Sequence, residues 1–284
     1  MISFVGAGPG APDLVTLRAA DRLAHADVVV WASSLVPEAL LSHCREGVLV
    51  HDSATMTLED VLGVYAAHPE PARIVRLHSG DPGLYGAIGE QIDWCETEGR
   101  SWEIVPGVSS LAAASALLGK ELTQPGVAQS VVVTRLPGRT GASFPPGDSG
   151  PAGFARHGAT LAVFLSAARP EELQAALLAP GTSYRPDTPA AVVIRATWPD
   201  ERVVRTTVGR LAADLAATGE TLTVLVVVGD ALGEAPVARR SHLYDPAHST
   251  AYRLRSRPGE VSGRPSRRRR GAGGPRSGGG SCDD

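Results

Sequence analysis

Apolar residues in this chain fall into two rhythms. Short, mostly apolar runs at 2–6, 28–31, 48–50, 73–77 and 102–105 read as strands, the one at 28–31 as a buried strand. Between them apolar positions recur at helical spacing, as in Leu14, Leu17, Ala20 and Leu23. A helix is expected after Pro37 over about 38–43. Thr57, with Asp60 three residues on, is placed to cap another to about Ala67. Further helices are predicted over 86–98 and in the alanine-rich stretch that ends near Gly119. Strands alternating with helices at this spacing predict a mostly parallel, layered α/β domain. A second α/β series follows, with strands at 130–134, 160–165, 190–194 and 222–228 and helices near 171–178 and 210–217. Residues 202–206 are placed to pair with a neighbour as a hairpin. The pattern predicts an N-terminal α/β domain over 1–118, a linker at 119–129 and a C-terminal α/β domain over 130–246. Residues 135–152 read as a long mobile loop, and 247–284 as a tail.

Composition narrows the class. The chain has 284 residues, 43% hydrophobic and 20% charged, enough for two modest cores. No apolar run approaches the roughly 20 residues of a membrane span, and the N-terminus opens on a strand rather than a basic and apolar leader. Cys44, Cys95 and Cys282 are odd in number and widely spaced, which suggests neither a disulfide framework nor a metal site. A cytoplasmic protein without a metal is expected. The net charge of −3 conceals a division, because residues 247–284 carry nine arginines against three acids. That segment, rich in Arg, Gly, Pro and Ser, is expected to be a disordered, solvated tail. A nucleic-acid adaptor using Arg267–Arg270 is the competing non-catalytic reading.

Two glycine-rich junctions stand at strand ends, where parallel sheets bind ligands. One is Leu77-His78-Ser79-Gly80-Asp81-Pro82-Gly83-Leu84-Tyr85-Gly86; the other is Gly6-Ala7-Gly8-Pro9-Gly10-Ala11-Pro12-Asp13-Leu14. The second formally matches the dinucleotide fingerprint G-x-G-x-x-G/A. Pro9 and Pro12 bracket it, however, so the next helix starts too late for its N-terminus to hold a pyrophosphate. No acid closes the second strand to bind a ribose. An NAD-dependent oxidoreductase is therefore the distant alternative.

The segment at 6–14, Ser79-Gly80-Asp81-Pro82, and Pro106-Gly107-Val108-Ser109-Ser110 resemble three signature segments of the tetrapyrrole methylase family. Longer strings, Ser34-Leu35-Val36-Pro37 and Arg195-Ala196-Thr197-Trp198-Pro199-Asp200-Glu201-Arg202 among them, resemble most the branch that methylates precorrin-4 at C(11) in cobalamin biosynthesis. The resemblance runs over about 2–250 and leaves out the tail. It implies an α/β fold of two α/β domains with a cofactor cleft between them, S-adenosylmethionine as methyl donor, a tetrapyrrole substrate and a homodimer. Siblings acting on precorrin-2, precorrin-3B or uroporphyrinogen III are the nearer alternative.

By the same resemblance Pro9 and Gly10 form the first wall of the cleft. Ser79, Gly80, Asp81 and Leu84 follow the methionine part, with Ser109 and Ser110 at its amino-acid end. Leu165, Ala196, Val226 and Val227 line the adenine pocket. Gly8 and Pro9 also face the tetrapyrrole. Asp81 is the candidate catalytic residue, offsetting the cationic donor or orienting the substrate; the competing reading is a carboxylate capping its own turn. A substrate rich in carboxylates calls for arginines, and Arg76, Arg135, Arg139, Arg195 and Arg202 are candidates, each also a candidate for a surface ion pair. His78 is a candidate proton acceptor and Tyr85 a candidate surface for the macrocycle.

Overall fold

The computed structural model describes residues 1–138, 150–234 and 240–266. The chain divides into a body, Met1–Glu234, and a smaller unit from Ala235 onward. In the body, the first five strands are β1 (Ile2–Gly6), β2 (Val28–Trp31), β3 (Leu49–Asp52), β4 (Ile74–His78) and β5 (Trp102–Val105). They form one sheet in the order β3-β2-β4-β1-β5, with every pairing parallel. Helix α1 (Leu17–Ala24) follows β1, α2 (Leu58–Ala67) follows β3 and α3 (Gly89–Thr97) follows β4.

The strand order creates a crevice. From β1 the chain crosses to β2 on one side, and from β4 it crosses to β5 on the other, although β1 and β4 are neighbours. Their outgoing loops therefore diverge and leave a gap at the carboxyl edge of the sheet. Ala19 and Leu23 of α1 pack with Val5, Val29, Val75 and Leu77 on one face. On the opposite face Val61 and Tyr65 of α2 and Cys95 of α3 pack with Phe4, Val30 and Ile74. The cap expected on α2 is present: the Thr57 hydroxyl accepts from the Asp60 N–H, and the Asp60 carboxylate accepts from the Thr57 N–H.

Helix α4 (Ser110–Leu118) follows β5 but covers the other sheet. Its Ala113, Ala114 and Leu118 pack with Ala162, Ala191, Val193, Leu225 and Val227. Small side chains let this helix lie close to the strands. The second sheet holds β6 (Val131–Arg135), β7 (Thr160–Phe164), β8 (Pro189–Ile194), β9 (Arg202–Thr207) and β10 (Val224–Val228), in the order β6-β7-β10-β8-β9. Only β6 and β7 pair in parallel; β8 and β9 make the expected hairpin. Its other face is covered by α6 (Pro170–Leu177) and α7 (Leu211–Ala217) through Leu173, Leu177, Leu211 and Leu215. One short turn, α5 (Pro151–Phe154), precedes β7 and lies where a loop was expected.

In the C-terminal unit, β11 (Arg253–Leu254) pairs antiparallel with β12 (Arg264–Pro265). The Arg253 guanidinium donates to the carbonyls of Asp245 and His248 at 2.8 and 3.3 Å. The composition of this stretch pointed to disorder, because one arginine satisfying main-chain carbonyls leaves no periodic signal. Arg139, most of the 135–152 loop and the Arg267–Arg270 run lie outside the described residues.

Three loops of the first sheet touch main chain to main chain. A β-carbon on Gly6 would sit 2.5 Å from the Gly107 α-carbon, and one on Gly107 would strike the Gly80 carbonyl oxygen. Gly107→Ala is therefore expected to destabilise the protein by about 3 kcal/mol, read as a lower urea midpoint at unchanged slope.

Candidate active site

Pro9, Ser79, Leu84, Tyr85, Ser110, Leu165 and Ala196, all selected from the sequence, line one cavity of about 200 Å³ between the two sheets. Pro9, Ser79, Leu84 and Tyr85 come from the loops after β1 and β4, and Ser110 from the start of α4. Leu165 and Ala196 follow β7 and β8. No lining side chain carries a formal charge at neutral pH; the polar groups are hydroxyls and main chain. The walls are unusually bent: Tyr85, Leu165 and Thr223 have φ of 58°, 51° and 55°. Non-glycine residues in that region cost about 1–2 kcal/mol each and collect where a site requires them. Leu165 is 64% exposed and Leu222 62% exposed, so the rim presents apolar side chains to solvent. Tyr85 packs on Phe164 at 5.5 Å between ring centroids, with the Arg135 guanidinium 5.9 Å from its ring.

Gly8, Gly10, Gly80, Asp81 and Ser109, also selected from the sequence, do not line the cavity; they adjoin its lining residues Pro9, Ser79 and Ser110 and tie the loops together. Gly8 and Gly80 exchange hydrogen bonds, Gly8 N–H to Gly80 O at 3.2 Å and Gly80 N–H to Gly8 O at 2.8 Å. Both have positive φ, 75° and 65°. The Asp81 carboxylate accepts from the Gly83 N–H at 2.8 Å and from the Gly107 N–H at 2.9 Å. It thus caps its own turn and clasps the loop after β5 to the loop after β4. Ser109 accepts from the Leu111 N–H as the cap of α4, behind the wall that Ser110 supplies. Gly10 lies beneath the Trp198 indole, where a β-carbon would collide with the ring. Helix α1 begins only at Leu17, after a single turn at Pro12–Leu14, so the glycines do not sit at a helix N-terminus. The dinucleotide geometry is absent from this loop.

A family model for tetrapyrrole (corrin/porphyrin) methylases matches residues 1–212. The chain belongs to that family. It is similar to a precorrin-4 C(11)-methyltransferase of Sinorhizobium sp., at 42% identity over 89% of this chain and 98% of the relative. It is also similar to the X-ray structure of a cobalamin biosynthetic enzyme, cobalt precorrin-4 methyltransferase. There the TM-score is 0.76 at 40% identity, covering 82% of this chain and 95% of that one. A uroporphyrin-III C-methyltransferase of Thermus thermophilus, solved with S-adenosylhomocysteine, gives a TM-score of 0.63 at 29% identity, covering 81% and 98%.

Several sequence expectations for this methylase need correction. Val226 and Val227 point to opposite faces of β10 and are fully buried in the two cores of the second sheet. The cavity is lined instead by Thr221, Leu222 and Thr223, the turn into that strand, and by Val224 and Leu225 at its start. Arg195 and Arg202 both pair with Glu220, at 2.7 and 2.5 Å, and Arg195 also pairs with Asp200 at 2.8 Å. They brace the turn after β8, and neither lines the cavity. Arg76 is largely buried, donating to Ser53 Oγ and the Val30 carbonyl. His78 is 7% exposed, tilted against Phe4 at 6.2 Å, and absent from the cavity wall. Burial, then the Arg76 charge, pushes its pKa down to about 3, so it stays neutral and is a poor proton acceptor at neutral pH.

Leu35, the 166–167 pair, Val193 and the 221–223 turn were missed. Leu222 had the only usable signal, an apolar residue between two threonines that was read as the start of a strand.

His78 has a measurable consequence. It is neutral when folded down to about pH 3 but protonates near pH 6.5 when unfolded. Its contribution is complete above pH 6.5 and is lost as pH falls toward 3. Between pH 6 and 4 this costs about 1.4 kcal/mol per unit. His78→Gln is expected to flatten the acid limb of unfolding free energy by that slope.

Proposed function

We propose that this methylase transfers a methyl group from S-adenosylmethionine to C(11) of precorrin-4, giving precorrin-5 and S-adenosylhomocysteine. The observation that carries this is the convergence of residues from all three signature segments on one uncharged cavity. Relatives at 40–42% identity over nearly their full length act at this position of precorrin-4 or its cobalt form, whereas the uroporphyrin-III relative stands at 29%.

The donor supplies an electrophilic methyl on a sulfonium. The residues present fit such a group. A wall of Pro9, Leu84, Leu165 and Ala196 offers apolar contact, and Ser79, Ser110, Thr221 and Thr223 offer hydroxyls. Displacement at the methyl needs alignment and exclusion of water more than an acid or base. The cavity matches that demand, since no imidazole or carboxylate lines it. Asp81 acts on the reaction by fixing the two loops rather than by touching the donor.

Arg135, at the rim beside Tyr85, is the arginine we assign to the substrate carboxylates. A homodimer belongs to the same proposal. Leu49 and Val50 on edge strand β3, and Trp102 and Ile104 on edge strand β5, expose apolar side chains in a single copy. Light scattering is expected to give twice the chain mass, and a monomer at micromolar concentration would remove that part. No described helix is long and apolar enough to cross a membrane, and a cytoplasmic site of action is part of the reading.

Two measurements test it. Incubation with precorrin-4, or its cobalt complex, and methyl-labelled donor is expected to place the label on C(11) by NMR; label on another carbon overturns the assignment. Ala196→Phe and Leu84→Trp, which fill the cavity from opposite walls, are each expected to weaken S-adenosylhomocysteine binding at least about tenfold by calorimetry.

A further inference from the structure

The turn 195–201 is more heavily braced than a β8–β9 connection needs. Arg195 and Thr197 both hold positive φ, 46° and 71°. The Glu201 carboxylate accepts the Thr197 N–H at 2.7 Å, while Asp200 and Glu220 grip Arg195 from two sides. The braced turn presents two donor–acceptor groups to the glycine loop of the other sheet. The Thr197 hydroxyl accepts from the Ala11 N–H at 2.9 Å, and the Trp198 Nε1–H donates to the Pro9 carbonyl at 3.0 Å. The indole fills the space beside Gly10. Pro9 and Ala196, next to these contacts, line the cavity from opposite sheets.

We propose that Trp198 is a positioning residue for the methyl donor, its indole N–H setting the spacing between the Pro9 wall and the Ala196 wall. The proposal rests on the reading that this cavity holds S-adenosylmethionine. The Gly8–Gly80 hydrogen bonds anchor the start of this loop to the first sheet, and beyond them the Pro9 carbonyl is held by the Trp198 indole N–H of the second. The strain in the turn is retained because it delivers Thr197 and Trp198 to that loop.

Trp198→Phe keeps an aromatic ring and removes the N–H. It is expected to raise the donor KM and the S-adenosylhomocysteine Kd about fivefold, the effect of one buried hydrogen bond. At saturating donor, kcat is expected to stay within about twofold. A residue that only fills space would lower the melting temperature and leave KM and Kd of the folded protein unchanged, and that result overturns the proposal. Should Trp198→Phe fail to fold, Glu201→Gln loosens the same turn without touching the ring and is expected to raise KM about twofold to threefold; an unchanged KM there also overturns it. The two readings separate cleanly. If Ala196→Phe weakens binding while Trp198→Phe does not, the positioning role alone fails; if neither does, the cavity assignment fails.

Discussion

Everything at the site depends on how closely three stretches of main chain approach one another. Gly6, Gly80 and Gly107 follow neighbouring strands, and a β-carbon on Gly6 or on Gly107 would collide with the main chain of the other and with the Gly80 carbonyl. The Gly8–Gly80 hydrogen bonds and the Asp81 clasp on Gly107 turn that proximity into one rigid block. The block is possible because β1 and β4 lie side by side while their outgoing loops diverge, which leaves the crevice open. A single carboxylate accepting two main-chain N–H groups is a strong arrangement, since charge-assisted bonds are roughly twice as strong as neutral ones.

The electrostatic design follows from that block. The cavity walls carry no charge, and Arg195 and Arg202 beyond β8 pair with Glu220, Arg195 with Asp200 as well. A sulfonium in such a place keeps its electrophilic character, because no acidic side chain is there to stabilise it. At the rim the Arg135 guanidinium lies over the Tyr85 ring. Position, in an uncharged surround, is what the protein contributes to this chemistry.

Much of this was legible in the sequence, for physical reasons. β2, buried along its whole length, reads as the unbroken apolar run Val28–Trp31, and the Thr57–Asp60 cap is local. The turns announced themselves through glycine and proline. What was not legible involves partners distant in sequence. Glu220 lies 18 and 25 residues from the arginines it neutralises. The resemblance implies Val226 and Val227 at the adenine pocket, but an apolar run does not show which end of a strand meets a cavity, and Thr221–Leu225 line it instead. Alanine-rich α4 reads as the last helix of the first series, yet its small face is cut for the second sheet. The helix expected at 86 begins at Gly89, because Tyr85 and Ala87 take left-handed conformations that no propensity rule foresees.

The most direct test of the central claim is a crystal structure of the protein with S-adenosylhomocysteine. The account predicts the ligand sulfur in the cavity between Pro9 and Ala196. A ligand seated in the groove beside Arg205 and Asp214, or elsewhere on the surface with that cavity empty, would contradict it.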